Sequence, residues 1–341
     1  MPEGETVPDR LGRRPTQRQI AAEVGVSVTT VSRILNPEET NPERWASART
    51  IELIQAAAAS LGYRPNALAV SLRTARSNTI GLILPTTGDP VISAIQAGID
   101  QVAAENRMIP LVTCTLDQPG LRAQRTTTML DHLVAGLIFA DAALDESFLA
   151  EVGAPFTLVH RRHPAYVSVG ADDVAAGRLA AEHLIGLGRT RLAFIGGTST
   201  QSTGRDRIEG FRTAIAAAGL PEPVIIETDH YVESGQHATR QLMSRTPRPD
   251  GIFAAHDWAA IGSLGVLRDY GLRVAEDVAV VGCYDTPLAR ATDLTSLAVD
   301  LGEMGRRACR LLLAQLAGEP VESETLPVTL VARGTTRVSH A

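Results

Sequence analysis

The sequence predicts an α/β protein made of a small all-α segment and a two-lobed core of parallel sheets with helices on both faces. The 341 residues are enough for two or three folding units at roughly 100–200 residues per domain. Helical signals begin at Thr16 and continue to Ser60. From Thr79 onward, short apolar runs alternate with amphipathic stretches, which is typical of parallel sheets covered by helices.

Composition narrows the class of protein. The chain is 44% hydrophobic and 21% charged, which is ordinary for a globular protein and excludes a disordered or collagen-like chain. It contains neither a secretory signal peptide nor an apolar run of ~18 residues, so we expect a cytoplasmic protein without a membrane span. Cys114, Cys283 and Cys309 are far apart and form no C-x-x-C pair, which predicts free thiols in a reducing compartment.

The charge is distributed unevenly along the chain. Residues 10–80 contain ten arginines against five acids, whereas residues 81–341 contain 22 arginines against 30 acids. A basic N-terminal segment attached to an acidic body indicates a polyanion-binding module joined to a different kind of domain.

The first helical segment has the spacing of a helix-turn-helix. Thr16 and Gln19 form a capping-box pattern that opens the first helix. Ala21 supplies the small residue where two helices cross, and Gly25, four residues later, suits a turn that a Cβ atom resists. Six residues further on, Val31 is expected to be buried and to dock the second helix. An ordinary helical hairpin is the alternative interpretation.

The exposed side chains of the second helix favour DNA over a structural hairpin. Val28 and Thr29 carry methyl groups that suit a thymine methyl, and Arg33 can donate two hydrogen bonds to guanine O6 and N7. The hydroxyl groups of Thr30 and Ser32 suit phosphates, which position a protein on DNA without specifying the sequence.

The remaining chain reads as two α/β lobes, because about 260 residues are too many for a single sheet. The predicted strands are TIGLIL, MIPLVTC, VAGLIFA, FTLVH, RLAFIGG, GIFAA and VAVVG. The predicted helices between them are ISAIQAGIDQVAAEN, VAAGRLAAEHLIGLG, RIEGFRTAIAAAG and AAIGSLGVLRDYG.

Several of these segments together resemble the LacI/GalR (lactose-repressor) family of bacterial transcriptional regulators. The resemblance rests on GVSVTTVSRILN, LGYRPNALAVSLRT, IGLILP, AEHLIGLGRTRLAFIGG, GRDRIEGFRTAIAAAGL, FAAHDWAAIGSLGVLRDYGLRV and DVAVVGCYDTPLA. It extends in order from about Thr16 to Arg337. It implies a helix-turn-helix headpiece, a hinge helix and a two-lobed, periplasmic-binding-protein-like core that binds a small effector and forms a homodimer.

The resemblance also implies domain boundaries. They are a flexible tail at 1–15, a headpiece at 16–63, a hinge helix and linker at 64–76, and a core at 77–341. Lobe 1 is expected to comprise about 79–170 plus 301–327, and lobe 2 about 171–300 plus the C-terminal segment.

In the hinge, the stretch ALAVSL is too short to remain helical alone, since helix nucleation is costly. By resemblance Leu72 is a wedge inserted from the minor groove; a flexible linker is the alternative. The loop PEETNPERWAS is longer than the family norm and acidic, which weakens the expectation of phosphate contacts there. The predicted DNA-binding residues are Thr16, Ser27, Val28, Thr29, Thr30, Ser32, Arg33, Asn36, Ser47, Tyr63, Asn66, Ala69 and Leu72.

In the core, the resemblance implies an effector cleft. Arg207 matches an arginine that grips the effector in relatives, and a buried arginine needs a partner, so a hydroxyl pair or carboxylate of the ligand is expected there. Asp257 reads as a helix cap, and Trp258 as a core residue. The predicted effector-binding residues are His160, Arg207, His230, Tyr231, His256, Tyr284 and Asp285.

Two substitutions in this set bear on the ligand. His160 and Tyr284 stand where relatives carry aspartates, and Arg161 and Arg162 follow directly. The pocket is therefore expected to be less acidic and more positive than a typical sugar site, which disfavours a neutral hexose and leads to the hypothesis of an anionic or aromatic-bearing effector.

Other functions have weaker support. GGTSTQSTGR is rich in glycine but lacks the ending of a phosphate-binding loop, and no catalytic or metal-ligand spacing appears, so we expect no enzyme, cofactor or metal. A solute-binding module would leave the basic head unexplained. The sequence therefore predicts a repressor that binds a pseudo-palindromic operator as a homodimer, with the ligand acting as inducer or corepressor.

Overall fold

The computed structural model describes residues 15–36, 41–64, 77–143 and 147–337. The predicted hinge contacts Asn66, Ala69 and Leu72 lie outside these residues, as do residues 1–14 of the predicted tail. The chain divides into two compact units, residues 1–76 and 77–341, called here the headpiece and the core.

The helices of the headpiece begin at polar caps. They are α1 (Gln17–Val24), α2 (Val28–Ile34) and α3 (Ala48–Ser60), with a short 3-10 turn at Pro42–Arg44. The predicted capping box is confirmed: the Thr16 hydroxyl accepts from the Gln19 backbone N–H, and the Thr16 N–H donates to the Gln19 side chain at 2.7 Å. Gly25 ends α1 at a φ of 76°, in the left-handed region that favours glycine.

The three helices enclose a small apolar core. Its buried members are Ile20, Ala21, Val31, Ile34, Ile51, Ile54, Ala57 and Ala58. Val31 is 0% exposed, which confirms its predicted docking role, and Ala21 is buried beside it. The helix-turn-helix spacing therefore produces the helix packing that it predicts.

The core unit contains two six-stranded sheets, one in each lobe. The strands are β1 (Thr79–Leu84), β2 (Ile109–Cys114), β3 (Leu137–Phe139), β4 (Phe156–Val159), β5 (Ser168–Ala171), β6 (Leu192–Ile195), β7 (Val224–Ile226), β8 (Gly251–Ala254), β9 (Ala279–Cys283), β10 (Thr295–Ala298), β11 (Glu324–Leu326) and β12 (Thr329–Val331). The strand order is β11-β5-β4-β3-β1-β2 in lobe 1 and β12-β10-β9-β8-β6-β7 in lobe 2.

Helices connect these strands. They are α4 (Pro90–Glu105), α5 (Pro119–Asp131), α6 (Asp173–Gly186), α7 (Ser202–Ala217), α8 (Val232–Met243), α9 (Asp257–Asp269), α10 (Pro287–Ala291) and α11 (Leu301–Leu316), with a 3-10 turn at Ser147–Glu151. The strand pairs are parallel except that β12 runs antiparallel to β10. β12 reaches lobe 2 directly from β11 of lobe 1, without the helical crossover that a parallel neighbour needs.

Two glycines allow α6 and α7 to approach closely. A Cβ atom on Gly177 of α6 would lie 2.0 Å from the Arg207 carbonyl oxygen, and one on Gly210 of α7 would lie 2.0 Å from the Val174 carbonyl oxygen. This contact brings Arg207 beside the N-terminus of α6. Within the described ranges, every helix is too short or too polar to cross a lipid bilayer.

Candidate effector cleft and nucleic-acid interface

The exposed face of α2 carries the side chains predicted to read bases. Val28 is 41% exposed, and Thr29 and Arg33 are also exposed. The Ser27 hydroxyl accepts the Thr30 backbone N–H at 3.0 Å and also bonds the Thr30 hydroxyl at 2.8 Å. The Ser27 hydroxyl therefore caps the helix and bonds the Thr30 hydroxyl, while Val28, Thr29 and Arg33 extend from the helix surface.

Arg33 has a neighbour that the sequence analysis missed. Its guanidinium carbon lies 4.5 Å from the centre of the Trp45 ring, and the ring is 41% exposed. A cation over an indole face is attracted by the ring quadrupole, so this contact orients the guanidinium. Trp45 follows the 3-10 turn Pro42–Arg44 in the long acidic loop.

The other described DNA-binding candidates occupy helix ends or partly buried positions. Thr16 and Ser47 are exposed N-caps of α1 and α3, and the Ser47 hydroxyl accepts the Thr50 N–H at 3.3 Å. Asn36, Tyr63 and Ser32 are only partly exposed. The structure therefore presents helix N-termini, which suit phosphate oxygens, together with the α2 surface.

The core contains a cleft of about 320 Å³. Its lining residues follow strands of both lobes, including Thr86 after β1, His160 after β4, His256 after β8 and Tyr284 after β9. In open α/β sheets, the carboxyl ends of parallel strands are where ligands bind. The cleft brings together the predicted residues His160, Arg207, His230, Tyr231, His256 and Tyr284.

Arg207 already has partners within the protein. It is 3% exposed and bonds Oδ1 of Asp173 through Nε at 2.9 Å and through a terminal nitrogen at 2.7 Å. It also donates to the Ala255 carbonyl oxygen at 2.6 Å and to the Tyr284 hydroxyl. Burial raises the pKa of the Asp173 carboxyl, and the positive charge of Arg207 opposes that rise. The Asp173 carboxylate therefore balances the charge of Arg207, in place of the ligand carboxylate that was expected there.

His256 joins the two lobes. Its Nδ1 accepts the Trp258 backbone N–H at 3.1 Å, so Nε2 carries the proton and faces Asp89 Oδ1 of lobe 1 at 3.3 Å. Burial alone would raise the pKa of Asp89. The hydrogen bond from His256, the charge of His256 and the hydrogen bond from the Val91 N–H together hold the pKa of Asp89 below its usual value.

The prediction that Asp257 caps α9 is wrong, because His256 is the N-cap. The Asp257 carboxylate instead accepts the Ser296 hydroxyl at 2.6 Å and the Thr286 backbone N–H at 2.8 Å. These two hydrogen bonds connect the first residue of α9 to β10 and to the N-cap of α10.

Asp285 also requires a correction, because it does not line the cleft. Its carboxylate pairs with Arg333 at 2.7 Å and with Arg290 at 3.2 Å. The Asp285 side chain is therefore held by one cation on α10 and one in the segment after β12.

His160 and His230 of the cleft stay neutral near pH 7. Burial, followed by the charge of His256, lowers the pKa of His230 to about 4. Burial and the nearby Arg161 and Arg207 hold the pKa of His160 well below its usual value. A neutral imidazole has one donor and one acceptor nitrogen, which is the pairing that a hydroxyl group of a ligand satisfies.

The two arginines after His160 do not give the cleft an unbalanced charge. Arg161 forms two hydrogen bonds with the Asp117 carboxylate, one of them at 2.9 Å. Arg162 pairs with Asp206 at 2.9 Å. Sequence reasoning missed both acidic partners, since each lies 44 residues from its arginine.

Within the described part of the chain, no group of three or more His, Cys, Asp or Glu residues is placed to hold a metal ion. The three histidines at the cleft instead lie against other rings, with His230 stacked on His256 and the other two pairs tilted. The centroid distances are 5.9 Å for His230–His256, 5.5 Å for His256–Trp258 and 5.6 Å for His160–Tyr284.

Comparison with known proteins relates both units to one family. Residues 16–66 match the family model for bacterial regulatory proteins of the lacI family, and residues 181–336 match a periplasmic binding protein-like domain. The HTH-type transcriptional regulator CelR of Thermobifida fusca is 33% identical over 338 residues, covering 94% of this chain and 96% of that protein. The ribose operon repressor of Escherichia coli is 29% identical over 340 residues, covering 94% and 99%.

Solved structures agree with this relationship. A lac repressor dimer bound to operator and the anti-inducer ONPF superposes with a TM-score of 0.83 at 26% identity, covering 96% of this chain and all of that chain. A complex of the regulator CelR with cellobiose gives a TM-score of 0.70 at 30% identity, covering 94% and 99%. The predicted fold class, a helix-turn-helix headpiece with a periplasmic-binding-protein-like core, is confirmed.

Proposed function

Because the chain belongs to the LacI family of bacterial regulatory proteins and is a DNA-binding transcription regulator, we propose that it is a repressor released from DNA by a neutral, hydroxyl-rich ligand. It acts as a homodimer on a pseudo-palindromic operator. The observation that carries this function is the combination of an exposed recognition helix, α2, with a cleft whose walls come from both lobes.

The headpiece supports specific rather than purely electrostatic binding. Val28, Thr29 and Arg33 lie on one exposed helix, where methyl groups and a forked donor can meet base edges in the major groove. Two headpieces in a dimer would contact half-sites about one helical turn apart, which accounts for a pseudo-palindrome.

The charge pairing in the cleft supports a neutral ligand. Arg207 and Arg161 are each bonded to a carboxylate of the protein, and His160 and His230 are neutral near pH 7. An anionic ligand would have to displace an internal carboxylate, whereas hydroxyl groups can use the remaining donors and acceptors. The relatives include a regulator solved with cellobiose and a ribose operon repressor, and both names point to sugars.

A ligand can control DNA binding because residues of both lobes line the cleft. A ligand that touches residues from both lobes binds one arrangement of the lobes better than another, and only such a difference in affinity can shift the population of states. Release from DNA then corresponds to a coupling free energy of ~1–3 kcal/mol.

Two measurements test this function. Selection of duplexes from random DNA by the full chain, without ligand, should enrich a pseudo-palindrome; enrichment of no sequence would contradict operator recognition. The enriched duplex is then titrated with matched probes, D-glucose against D-glucuronate and D-galactose against D-galacturonate. We expect a neutral member to weaken operator binding. Release by the acids alone would overturn the neutral-ligand assignment, and tighter DNA binding would make the ligand a corepressor.

A further inference from the structure

Three consecutive residues after β4 contact three different parts of the core. His160 lines the cleft. Arg161 bonds the Asp117 carboxylate at 2.9 Å and the Asp141 carbonyl oxygen at 3.1 Å, and both acceptors belong to lobe 1. Arg162 bonds a helix of lobe 2 instead. One short segment therefore connects the cleft to both lobes.

Arg162 forms two hydrogen bonds with the start of α7 in lobe 2. Its backbone N–H donates to the Ser202 hydroxyl at 2.7 Å, and its guanidinium donates to Asp206 Oδ2 at 2.9 Å. Both acceptors are buried, and they are four residues apart, so they lie on the same face of the helix. The two bonds together therefore fix the first turns of α7 relative to lobe 1.

The lobe 1 sheet leaves room for the Arg162 side chain. A Cβ atom on Gly170 of β5 would lie 2.9 Å from both Cγ and Cδ of Arg162. A larger residue at this position would therefore displace the side chain that reaches Asp206. The guanidinium also lies 3.5 Å from the hydroxyl of Thr325 on β11, the strand next to β5. Arg162 thus packs on two strands of lobe 1 while its end bonds lobe 2.

The helix that Arg162 holds also contributes to the cleft. Thr203 and Arg207 of α7 line the cleft, whereas Arg162 and Asp206 do not. Arg207 directly follows Asp206, so a shift of the start of α7 relative to lobe 1 would move Arg207 relative to His160. Arg162 can therefore affect ligand binding without touching the ligand.

We propose that Arg162, through its bond to Asp206, is a positioning residue that links the two lobes and thereby sets the ligand concentration needed for release from DNA. A ligand that touches both lobes binds best to the arrangement in which the lobes are in contact, and the Arg162 bond stabilises that arrangement. The inference rests on the proposed function for the ligand response, and it adds a residue outside the cleft that controls this response.

The chain supplies its own reporter of the lobe arrangement. It contains two tryptophans, Trp45 in the headpiece and Trp258 in the cleft. The centre of the Trp258 ring lies 5.5 Å from that of His256, which faces Asp89 of lobe 1 at 3.3 Å. A full-length Trp45→Phe protein has Trp258 as its one tryptophan. Separation of the lobes should expose this ring to acrylamide, which quenches its emission.

The first experiment measures the acrylamide quenching constant of Trp258 without ligand or DNA. Arg162→Gln removes the charged link between the lobes and should raise the constant. Arg205→Gln is the matched control and should leave it unchanged, because Arg205 bonds the other oxygen of Asp206, at 2.7 Å, from within α7. Gly170→Ala keeps every charge but fills the space of the Arg162 side chain, so it should raise the constant as well.

The second experiment measures release of the selected operator duplex, with D-glucose and D-galactose as the probes. The sugar concentration that releases half of the duplex should rise at least about twofold in Arg162→Gln, the lower bound for residues in one hydrogen-bond network. Arg205→Gln should leave this concentration unchanged. Asp206→Asn should raise it, and the double variant Arg162→Gln/Asp206→Asn should raise it no further, because both substitutions break the same bond.

The possible results separate this inference from the proposed function. A quenching constant that Arg162→Gln leaves unchanged, or that Arg205→Gln raises equally, would overturn the link between the lobes, even if the unfolding midpoint falls. A raised quenching constant with an unchanged half-release concentration would overturn the role of Arg162 in the ligand response. If neither sugar releases the duplex from the parent protein, the sugar assignment of the proposed function fails, and the quenching constant still decides whether Arg162 links the lobes.

Discussion

The headpiece and the cleft hold their functional side chains in opposite ways. In the headpiece, Val28 and Arg33 extend from the surface of a small apolar core that does not depend on them. In the cleft, Arg207 and His256 are 3% and 2% exposed and bonded to other parts of the protein. A substitution in the headpiece can therefore remove function alone, whereas a substitution deep in the cleft also changes stability.

The largest expected effect is on the buried ion pair. Asp173→Ala removes the carboxylate that pairs with Arg207 and leaves the guanidinium buried without that partner. The substitution should therefore lower the free energy of unfolding by ~3–5 kcal/mol. Chemical denaturation of the core measures this loss. Glu182→Ala is the control, because its pair with Arg178 is half exposed and should cost less than ~1 kcal/mol. Equal losses in the two variants would contradict a buried pair that matters for folding.

The next effect is a loss of stability in acid. Burial lowers the folded-state pKa of His230 to about 4, so below pH 6.5 the unfolded state binds a proton that the folded state does not. The free energy of unfolding should therefore fall as the pH falls from 6.5 to about 4, by about 1.4 kcal/mol per pH unit for this histidine. His230→Gln should flatten the slope by that amount. His132→Gln makes the same substitution at the exposed end of α5, outside the cleft, and an equal change of slope in the two variants would contradict a burial effect at His230.

A smaller effect should appear on DNA alone. Arg33→Ala removes a forked donor from α2 and should weaken binding to the selected operator by ~1–3 kcal/mol, with relaxed preference at one base pair. Its free energy of unfolding should stay within ~0.5 kcal/mol of the parent, because the side chain is exposed. Fluorescence anisotropy with the operator and with a scrambled duplex measures both losses. Arg125→Ala makes the same charge change in the core, and an equal loss there would show that charge alone explains the result.

The smallest effect concerns the ring beneath Arg33. Trp45→Ala should weaken operator binding by ~0.5–1 kcal/mol, since the guanidinium loses the face that orients it. Trp45→Phe, which keeps an aromatic face, should recover most of the loss. The same anisotropy titration measures both, and no difference between alanine and phenylalanine would mean that the ring does not orient Arg33.

The difference between the headpiece and the cleft also explains which features could be predicted from the sequence. The headpiece could be predicted because the residues that specify it are close in sequence: Ala21, Gly25 and Val31 fall within one short segment, and each cap bonds a residue three positions away. The alternation of strands and helices likewise predicted the two lobes, because each element carries its own periodicity. The positions of the cleft residues followed from the family resemblance, except for Asp285.

The partners of those residues could not be predicted. Arg207 meets Asp173 across 34 residues and Tyr284 across 77, and His256 meets Asp89 across 167. Such contacts depend on how separate elements pack, for example on the glycine contact that brings α7 against α6. For the same reason, the two arginines after His160 gave a misleading prediction of positive charge in the cleft. Their charges are balanced by Asp117 and Asp206, which are distant in sequence.

The most direct test of the account is the affinity of the cleft for its ligand with and without DNA. Trp258 emission in the Trp45→Phe protein reports ligand binding, first for the free protein and then with saturating operator duplex. Coupling between two sites is reciprocal, so operator should weaken ligand binding by the same factor that ligand weakens operator binding, about 5–150-fold. The same ligand affinity in both conditions would contradict a ligand-released repressor.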